Sequence, residues 1–277
     1  MHVPVLGSLP LDLKGRIDAI RLKAQGPVAI ACLDLLTGAA WAHDGDRAFP
    51  AGQLSALPLL IHAYALASRD EVDLEALRPL LIRTVTQCDG EAIAQLSERL
   101  WTPQAETVTA RGLLEALATL EPAHPLWDLL AWEGDRTKFP RRLPRVPMAY
   151  KAGDRCEPQL AHGAGRLGDP DGILLVILTE GDPAANSIIG RIAKAVWDHH
   201  LDQADRHLDA VTRLDALRDA RLPDRRLGLL DVQPTWTDGA LALSGVTTLP
   251  GPSGRMSKRP RTSRSSMASR RSSPLPS

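Results

Sequence analysis

Segments with the pattern of β-strands stand at both ends of the first 200 residues, with helical patterns between them. Val28–Leu36 and Ala39–His43 come early, and Pro147–Lys151, Leu160–Leu167 and Ile173–Thr179 come late. The last segment is almost continuously apolar, as in a buried central strand. The sequence therefore predicts a mixed α/β (α+β) sandwich, in which an antiparallel sheet is assembled from both ends of the domain and a helical subdomain covers it.

Segments with helical periodicity precede, separate and follow these strands. In the final one, Ile188, Ile189, Ile192 and Val196 fall on one face, which indicates a helix packed on the sheet. Helices are expected at Leu11–Gln25, Leu54–Ser68, Leu74–Thr86, Glu91–Leu100, 110–120, 124–132 and Asn186–His200.

Residues beyond the first domain (1–200) differ in composition. We expect a charged linker helix at 201–221, a partial β module at 222–248 with strands Leu227–Val232 and Leu241–Val246, and a disordered basic tail at 249–277. The tail holds seven of the 33 basic residues and none of the 33 acidic ones, so residues 1–248 carry a net charge of −7. Because two strands do not complete a small β module, the sequence predicts a chain that is cut short. A frameshift product and a natural basic tail remain alternatives for 249–277.

Cysteine spacing argues against disulfides and metals. Cys32, Cys88 and Cys156 are an odd number and form no CxxC or His-rich cluster, so neither a disulfide framework, a metal site nor another cofactor is expected. The N-terminus lacks the basic and apolar regions of a signal peptide, and no segment reaches the roughly 18 apolar residues of a spanning helix. We expect no membrane span and a cytoplasmic location, unless a misassigned start codon hides an export signal.

Three short sequence motifs occur one after another in the first 165 residues. They are FPAGQLSALP at 49–58, TQCDGEAIAQLSERL at 86–100, and YKAG at 150–153, the last followed by AHGAG at 161–165. In order and spacing they resemble the serine β-lactamases and penicillin-binding proteins, whose motifs are S-x-x-K, S-D-N and K-T-G. The resemblance covers about residues 10–200 and implies that family's sandwich, with a cleft between the sheet and the helical subdomain. Residues 224–248 resemble, more weakly, the start of a bacterial SH3-like module.

The first motif lacks its reactive groups. Phe49-Pro50 and Leu57-Pro58 fix the alignment, so Gln53 stands at the nucleophile position and Ala56 at the lysine position. Acyl transfer needs a nucleophile and a base one helical turn apart, and neither side chain can serve. Ser55 is an alternative nucleophile, but we expect an ordinary helix serine, because two helical positions rotate it roughly 200° away from the cleft.

The second and third motifs are partly retained. Cys88, Asp89 and Gly90 match S-D-N, so only the aspartate survives; Lys151, Ala152 and Gly153 match K-T-G and keep its lysine and glycine. A strand-borne lysine beside a cleft suits a ligand carboxylate. The ligand-binding candidates are therefore Gln53, Cys88, Asp89 and Lys151. Cys88 is expected to be a small, partly buried residue, with a reactive thiol as the alternative.

The class A enzymes of this family also use a glutamate, on a loop between the second and third motifs, to activate water. Only 63 positions separate Cys88 from Lys151, and the segment from Glu133 to Leu143 has no room for that loop. We therefore expect Glu133 to be a surface residue.

Other patterns carry less weight. GAGRLG at 163–168 spells a dinucleotide-loop motif but lies between strands, so a turn and strand edge is expected. His199, His200 and His207 are expected on a helix surface, because no further ligands complete a metal site. Nucleic acid is not an expected partner, except through the basic residues 255–271.

Three hypotheses follow. The first is a catalytically inactive β-lactamase-like domain that binds a cell-wall peptide or a β-lactam-like carboxylate. The second is an active serine-type hydrolase that uses Ser55 or Cys88. The third is a truncated gene product related to cell-wall peptidases.

Overall fold

The computed structural model describes residues 6–87, 89–155, 159–221, 230–237 and 240–247. The chain divides into two compact units, Met1–Asp209 with Trp236–Ala242, and Ala210–Thr235 with Leu243–Ser277. The division into linker and module that the sequence suggests for 201–248 stays a prediction, as does the tail at 249–277, which lies outside the described residues.

The helices and the strands of the main sheet follow one another along the chain in the predicted order. The strands are β1 Val28–Asp34, β2 Ala40–His43, β3 Phe49–Pro50, β4 Thr107–Val108, β5 Met148–Arg155, β6 Leu160–Leu167, β7 Ile173–Glu180, β8 Leu230–Thr237 and β9 Ala240–Thr247. The α-helices are α1 Leu11–Arg21, α2 Ala56–Ala67, α3 Leu74–Thr86, α4 Gly90–Arg99, α5 Ala110–Ala118, α6 Leu126–Leu130, α7 Phe139–Arg142 and α8 Ala185–Arg221, and a 3-10 turn spans Gly52–Ser55.

The main sheet has five antiparallel strands in the order β2-β1-β7-β6-β5. β1 pairs with β7, with Ala31 opposite Val176, so the two ends of the domain meet in the centre of the sheet. The prediction of an antiparallel sheet built from both ends is confirmed. β5, which carries the third motif, pairs only with β6 in this sheet and lies at its edge.

Side chains of the central strand β7 alternate between two apolar cores, as the strand period of two requires. Leu174, Val176 and Leu178 pack in the core that holds α2 and α5. Their neighbours in β7 face a second core, formed with α1 and α8. Helices therefore cover both faces of the sheet. The helical subdomain, which includes α2 and α5, covers the face that carries Leu174, Val176 and Leu178.

Polar residues start three of the helices. Asp73, Asp89 and Thr109 accept hydrogen bonds from backbone N–H groups in the first turns of α3, α4 and α5. Each such cap contributes about 1 kcal/mol.

Some elements differ from the expectation. α8 is continuous from Ala185 to Arg221, so the helix expected to end at His200 and the linker helix at 201–221 are one helix. The prolines around α7 permit a short helix where only a break was expected, because Pro140 stands in its first turn. β3 and β4 form a small two-stranded sheet that the sequence did not indicate.

β8 begins three residues later than the expected strand and pairs with β9. The expected turn at Asp238-Gly239 lies outside the described residues. Within the described part of the chain, none of the helices combines the length and apolar character that crossing a membrane requires.

Candidate functional site

The three motif segments meet around one open cleft of about 740 Å³. Gln53 from the first segment, Gly90 from the second and Asp154, just beyond the third, all line it. The complete set of lining residues is Gly52, Gln53, Ser55, Gly90, Ile93, Gln104, Ala105, Glu106 and Asp154. The cleft is thus lined by residues of the first and second segments and by the residue that follows the third.

Two glycines allow the 3-10 turn to lie against the edge strand. A Cβ atom on Gly153 would stand 2.8 Å from the Leu54 side chain and 3.0 Å from its backbone nitrogen. Gly52 opens the turn with a φ of +51°, a conformation that favours glycine. The glycine of the third motif is thus required by close packing, and the turn presents Gln53 to the end of β5.

Gln53, which the motif alignment assigns to the nucleophile position, has an amide side chain that bonds to the edge strand. Gln53 Oε1 accepts a hydrogen bond from the backbone N–H of Asp154 at 3.3 Å. Ala56, at the position of the family's lysine, is fully buried.

Ser55 lies closer to the cleft than the helical-wheel argument predicted, because residues 52–55 form a 3-10 turn instead of the first turn of α2. Its side chain is nevertheless buried, and Ser55 Oγ donates a hydrogen bond to the Gly52 carbonyl at 2.9 Å. Among the hydrogen bonds of the described residues, none joins Ser55 Oγ to a histidine, lysine or carboxylate.

The aspartate of the second motif has a structural role. Asp89 Oδ1 caps α4 by accepting from Glu91 N at 2.9 Å and Ala92 N at 3.2 Å. Its other oxygen accepts from Arg83 Nε at 2.9 Å and also pairs with Arg83 Nη2. The hydrogen bond from Arg83 lowers the pKa of Asp89, with help from the backbone N–H groups. Cys88 lies outside the described residues.

The lysine of the third motif is buried against a carboxylate. Lys151 Nζ donates to Glu133 Oε2 at 2.8 Å, and the two side chains are 0% and 2% exposed. Lys151 Nζ also lies 3.4 Å from the carbonyl oxygen of Val85, near the second motif. Glu133 accepts two further hydrogen bonds, from Ala152 N at 3.1 Å and Asp135 N at 3.2 Å. The expectation that Glu133 is a surface residue is wrong, because the segment after α6 packs against β5.

A second buried lysine stands beside this pair. Lys138, fully buried, donates to Asp154 Oδ2 at 2.8 Å and also pairs with Asp135. Burial alone would raise the pKa of Asp135, but the hydrogen bonds from Lys138 and Thr137 outweigh it and the pKa is lowered. The Tyr150 hydroxyl donates to the Asp135 carbonyl oxygen. Two buried lysines therefore have three carboxylates as partners.

Solved structures with the same architecture include several β-lactamases. One from Xanthomonas campestris pv. campestris superposes with a TM-score of 0.61 at 16% identity, covering 68% of this chain and 97% of that one. An ancestral class A β-lactamase gives 0.59 at 18% identity, with coverages of 68% and 99%. The Chitinophaga pinensis β-lactamase gives 0.58 at 17% identity, again with 68% and 99%. No protein-family model matches the sequence, and no curated protein matches it.

The chain has the serine β-lactamase fold. Nearly the whole length of these β-lactamases is covered, which confirms the fold class predicted from the motif order.

In this β-lactamase fold the region behind the cleft is held by a buried histidine. His162 Nε2 lies 2.9 Å from the Pro50 carbonyl oxygen, and its Nδ1 lies 2.9 Å from the Ala161 carbonyl oxygen and 3.3 Å from Thr179 N. Burial lowers the pKa of His162. The ring therefore ties the first-motif segment to the sheet. The nearby sequence GAGRLG lies in β6 from Gly163 to Leu167, so the expectation of a turn and strand edge is wrong, because β6 pairs with a strand on each side.

The histidines of α8 depart from expectation. His200 is buried, with Nδ1 2.9 Å from Asp34 Oδ2, and His199 Nδ1 lies 2.9 Å from Asp12 Oδ2. The prediction of a surface position is wrong for His200, because this part of α8 packs on the sheet. The described residues contain no cluster of three or more His, Cys, Asp or Glu side chains suited to a metal ion.

One cysteine can be placed. Cys32 is a free, buried thiol in β1, and burial, aided by the charge of Asp34, raises its pKa well above the usual value. Such a thiol is inert. Cys156 lies outside the described residues.

Proposed function

We propose that this chain is a non-catalytic β-lactamase-like domain whose cleft binds a small ligand without acylation. The observation that carries the proposal is the pair of replacements in the first motif, since Gln53 lines the cleft and Ala56 is buried beside it. The fold comparison supports the domain type, and the chemistry of the two side chains supports the loss of catalysis.

Covalent catalysis in this fold needs a nucleophile whose proton is removed by an adjacent base. The Gln53 amide oxygen accepts from the backbone, and an amide nitrogen is a poor nucleophile. Ala56 has no group that can accept a proton. Because nucleophile and base act as a unit, their joint absence removes the acyl-enzyme route altogether.

The resemblance suggests a cell-wall peptide or a β-lactam-like molecule as the ligand. Gln104 offers an amide group to the backbone of a bound peptide, and Gly90, which has no side chain, leaves room for the peptide to approach closely. Such contacts bind and orient a ligand but do not break a bond.

The test is incubation of the purified full chain with nitrocefin and with benzylpenicillin, followed by absorbance and intact-mass measurements. We expect no hydrolysis above buffer and no covalent adduct. Turnover that persists through repeated purification, or a stable adduct, would contradict the proposal.

A paired variant checks the assignment of the motif. Gln53→Ser alone should stay inactive, whereas Gln53→Ser with Ala56→Lys should form an adduct slowly and release it poorly, because no glutamate activates the deacylating water. Fast turnover by the double variant would reveal another base near the cleft.

The second candidate, a working hydrolase, is favoured by one observation, that Ser55 lines the cleft. Its hydroxyl is bonded to the Gly52 carbonyl, which leaves it without the base that activation requires. Loss of any measured activity in Ser55→Ala or Cys88→Ala, with retention in Ser68→Ala at the exposed end of α2, would support this candidate over the first.

A further inference from the structure

The charge that the third motif offers to a ligand is cancelled inside the fold. Lys151 and Glu133 face each other at 2.8 Å, with both side chains essentially fully buried. Glu133 also accepts the backbone N–H of Ala152, the residue that follows the lysine. An internal carboxylate is therefore already paired with the lysine that a ligand carboxylate would need.

The second buried lysine is neutralised in the same way. Lys138 pairs with Asp135 and with Asp154 Oδ2. The Asp154 side chain remains 49% exposed, and Asp154 is a lining residue of the cleft. Counting Lys138, Lys151, Glu133, Asp135 and Asp154 together leaves one negative charge beside the cleft.

Among the cleft-lining residues that the structure describes, the charged groups are carboxylates. Among the described residues, the cleft lining includes Glu106 and Asp154 but no lysine, arginine or histidine. Glu106 is exposed, on the short segment between α4 and β4, and stands beside Gln104 and Ala105 in the cleft wall. Concave surfaces lined by one sign of charge favour ligands of the opposite sign.

We infer that Glu133 is a specificity-determining residue: by neutralising Lys151 it makes the cleft select a peptide-like ligand that carries an amine over one that carries a carboxylate. This inference rests on the proposed function, since it names the ligand class of the same cleft. It reverses the carboxylate preference that the retained lysine alone suggested.

Three alanine dipeptides with one skeleton test the inference. Acetyl-alanyl-alanine carries a free carboxylate, acetyl-alanyl-alaninamide is neutral, and alanyl-alaninamide carries a free amine. Each is titrated into the full ¹⁵N-labelled chain at low salt, and binding is followed through the amide signals of Gly52, Gln53, Gly90 and Glu106. We expect the amine probe to bind at least about tenfold more tightly than the carboxylate probe, with the neutral probe between them.

Variants locate the cause. Glu106→Gln should narrow the ratio between the amine and carboxylate probes, whereas Glu71→Gln, an exposed carboxylate outside the cleft lining, should leave it unchanged. Glu133→Gln should raise the affinity for the carboxylate probe, because it restores the charge of Lys151 and keeps an oxygen for Ala152 N. If Glu133→Gln does not fold, Lys151→Met takes its place: it leaves the Glu133 charge uncompensated and should widen the preference for the amine probe, and an unchanged ratio would overturn the inference.

The outcomes separate this inference from the proposed function. Equal or tighter binding of the carboxylate probe, without β-lactam hydrolysis, overturns the inference and leaves the proposed function standing. Hydrolysis or acylation overturns the proposed function whatever the charge preference. If none of the probes binds at millimolar concentration, ligand binding and the inference both fall.

Discussion

Removing the Glu133 carboxylate should destabilise the domain strongly. The side chain is 2% exposed and accepts hydrogen bonds from Lys151 Nζ, Ala152 N and Asp135 N. Glu133→Ala deprives the buried ammonium of this counterion and two N–H groups of their acceptor. Breaking a buried pair by removing one partner costs about 3–5 kcal/mol, and we expect the loss for Glu133→Ala to lie in that range.

A double-mutant cycle tests whether this cost belongs to the pair. Glu133→Gln and Lys151→Met are made singly and together, and the free energy of unfolding is measured by urea denaturation followed by far-ultraviolet circular dichroism. The double variant should lose less stability than the sum of the single losses, by about 1–3 kcal/mol.

The matched control is the exposed pair of Arg69 and Glu71, whose charged atoms lie 3.7 Å apart. Glu71→Ala should change stability by less than about 0.5 kcal/mol, because exposed pairs contribute little. A loss below about 1 kcal/mol for Glu133→Ala, or additive losses around the cycle, would refute the buried pair on which the charge argument depends.

Two further predictions concern pH and backbone strain. Because burial lowers the pKa of His162 below 6.5, the unfolded chain takes up the proton first as the pH falls. The His162 contribution to stability is therefore complete above pH 6.5 and is lost as the pH falls below it. The urea midpoint of the protein should be lower at pH 5.5 than at pH 7.5. This difference should shrink in His162→Gln but persist in the control variant His62→Gln. Trp101 is 93% exposed at a φ of +51°. Trp101→Gly should stabilise by about 0.5–1 kcal/mol, since relief of about 1–2 kcal/mol of left-handed strain exceeds the entropy cost of glycine. Asp70→Gly, at a φ of +58°, should change urea stability far less because aspartate tolerates that region; a Trp101→Gly loss would contradict the strain argument.

The strands of the main sheet could be predicted from local pattern. β6 matches its predicted limits, and β7 extends only one residue beyond them, because a buried strand between turn signals has a distinct composition. The order of motifs then supplied the fold class, which the β-lactamase structures confirm. These features are set by residues close together in sequence.

The ion pairs of the site depend on contacts between distant segments, and the sequence did not reveal them. Glu133 and Lys151 lie 18 positions apart and meet only because the segment after α6 packs against the edge strand. One signal was available: a lysine on a strand between apolar neighbours needs a counterion when it is buried. The acidic residues of the EGD string at 133–135 were the nearest candidates before it along the chain.

The presence of Gln53 at the assigned nucleophile position and the burial of Lys151 are related. A hydrolase that holds its substrate by a carboxylate needs that lysine to be available, and an internal glutamate at 2.8 Å would compete for it during every binding event. Under the proposed non-catalytic function, that competition carries no catalytic cost, and the buried pair instead joins the edge strand to the segment after α6. If this reasoning is right, Gln53→Ser with Ala56→Lys should be acylated faster when Glu133→Gln is added, since freeing Lys151 restores the carboxylate contact that positions a β-lactam. If the triple variant folds and Glu133→Gln leaves its acylation rate unchanged, the identity of residue 53 and the Lys151–Glu133 pair are unrelated. The pair would then serve stability alone.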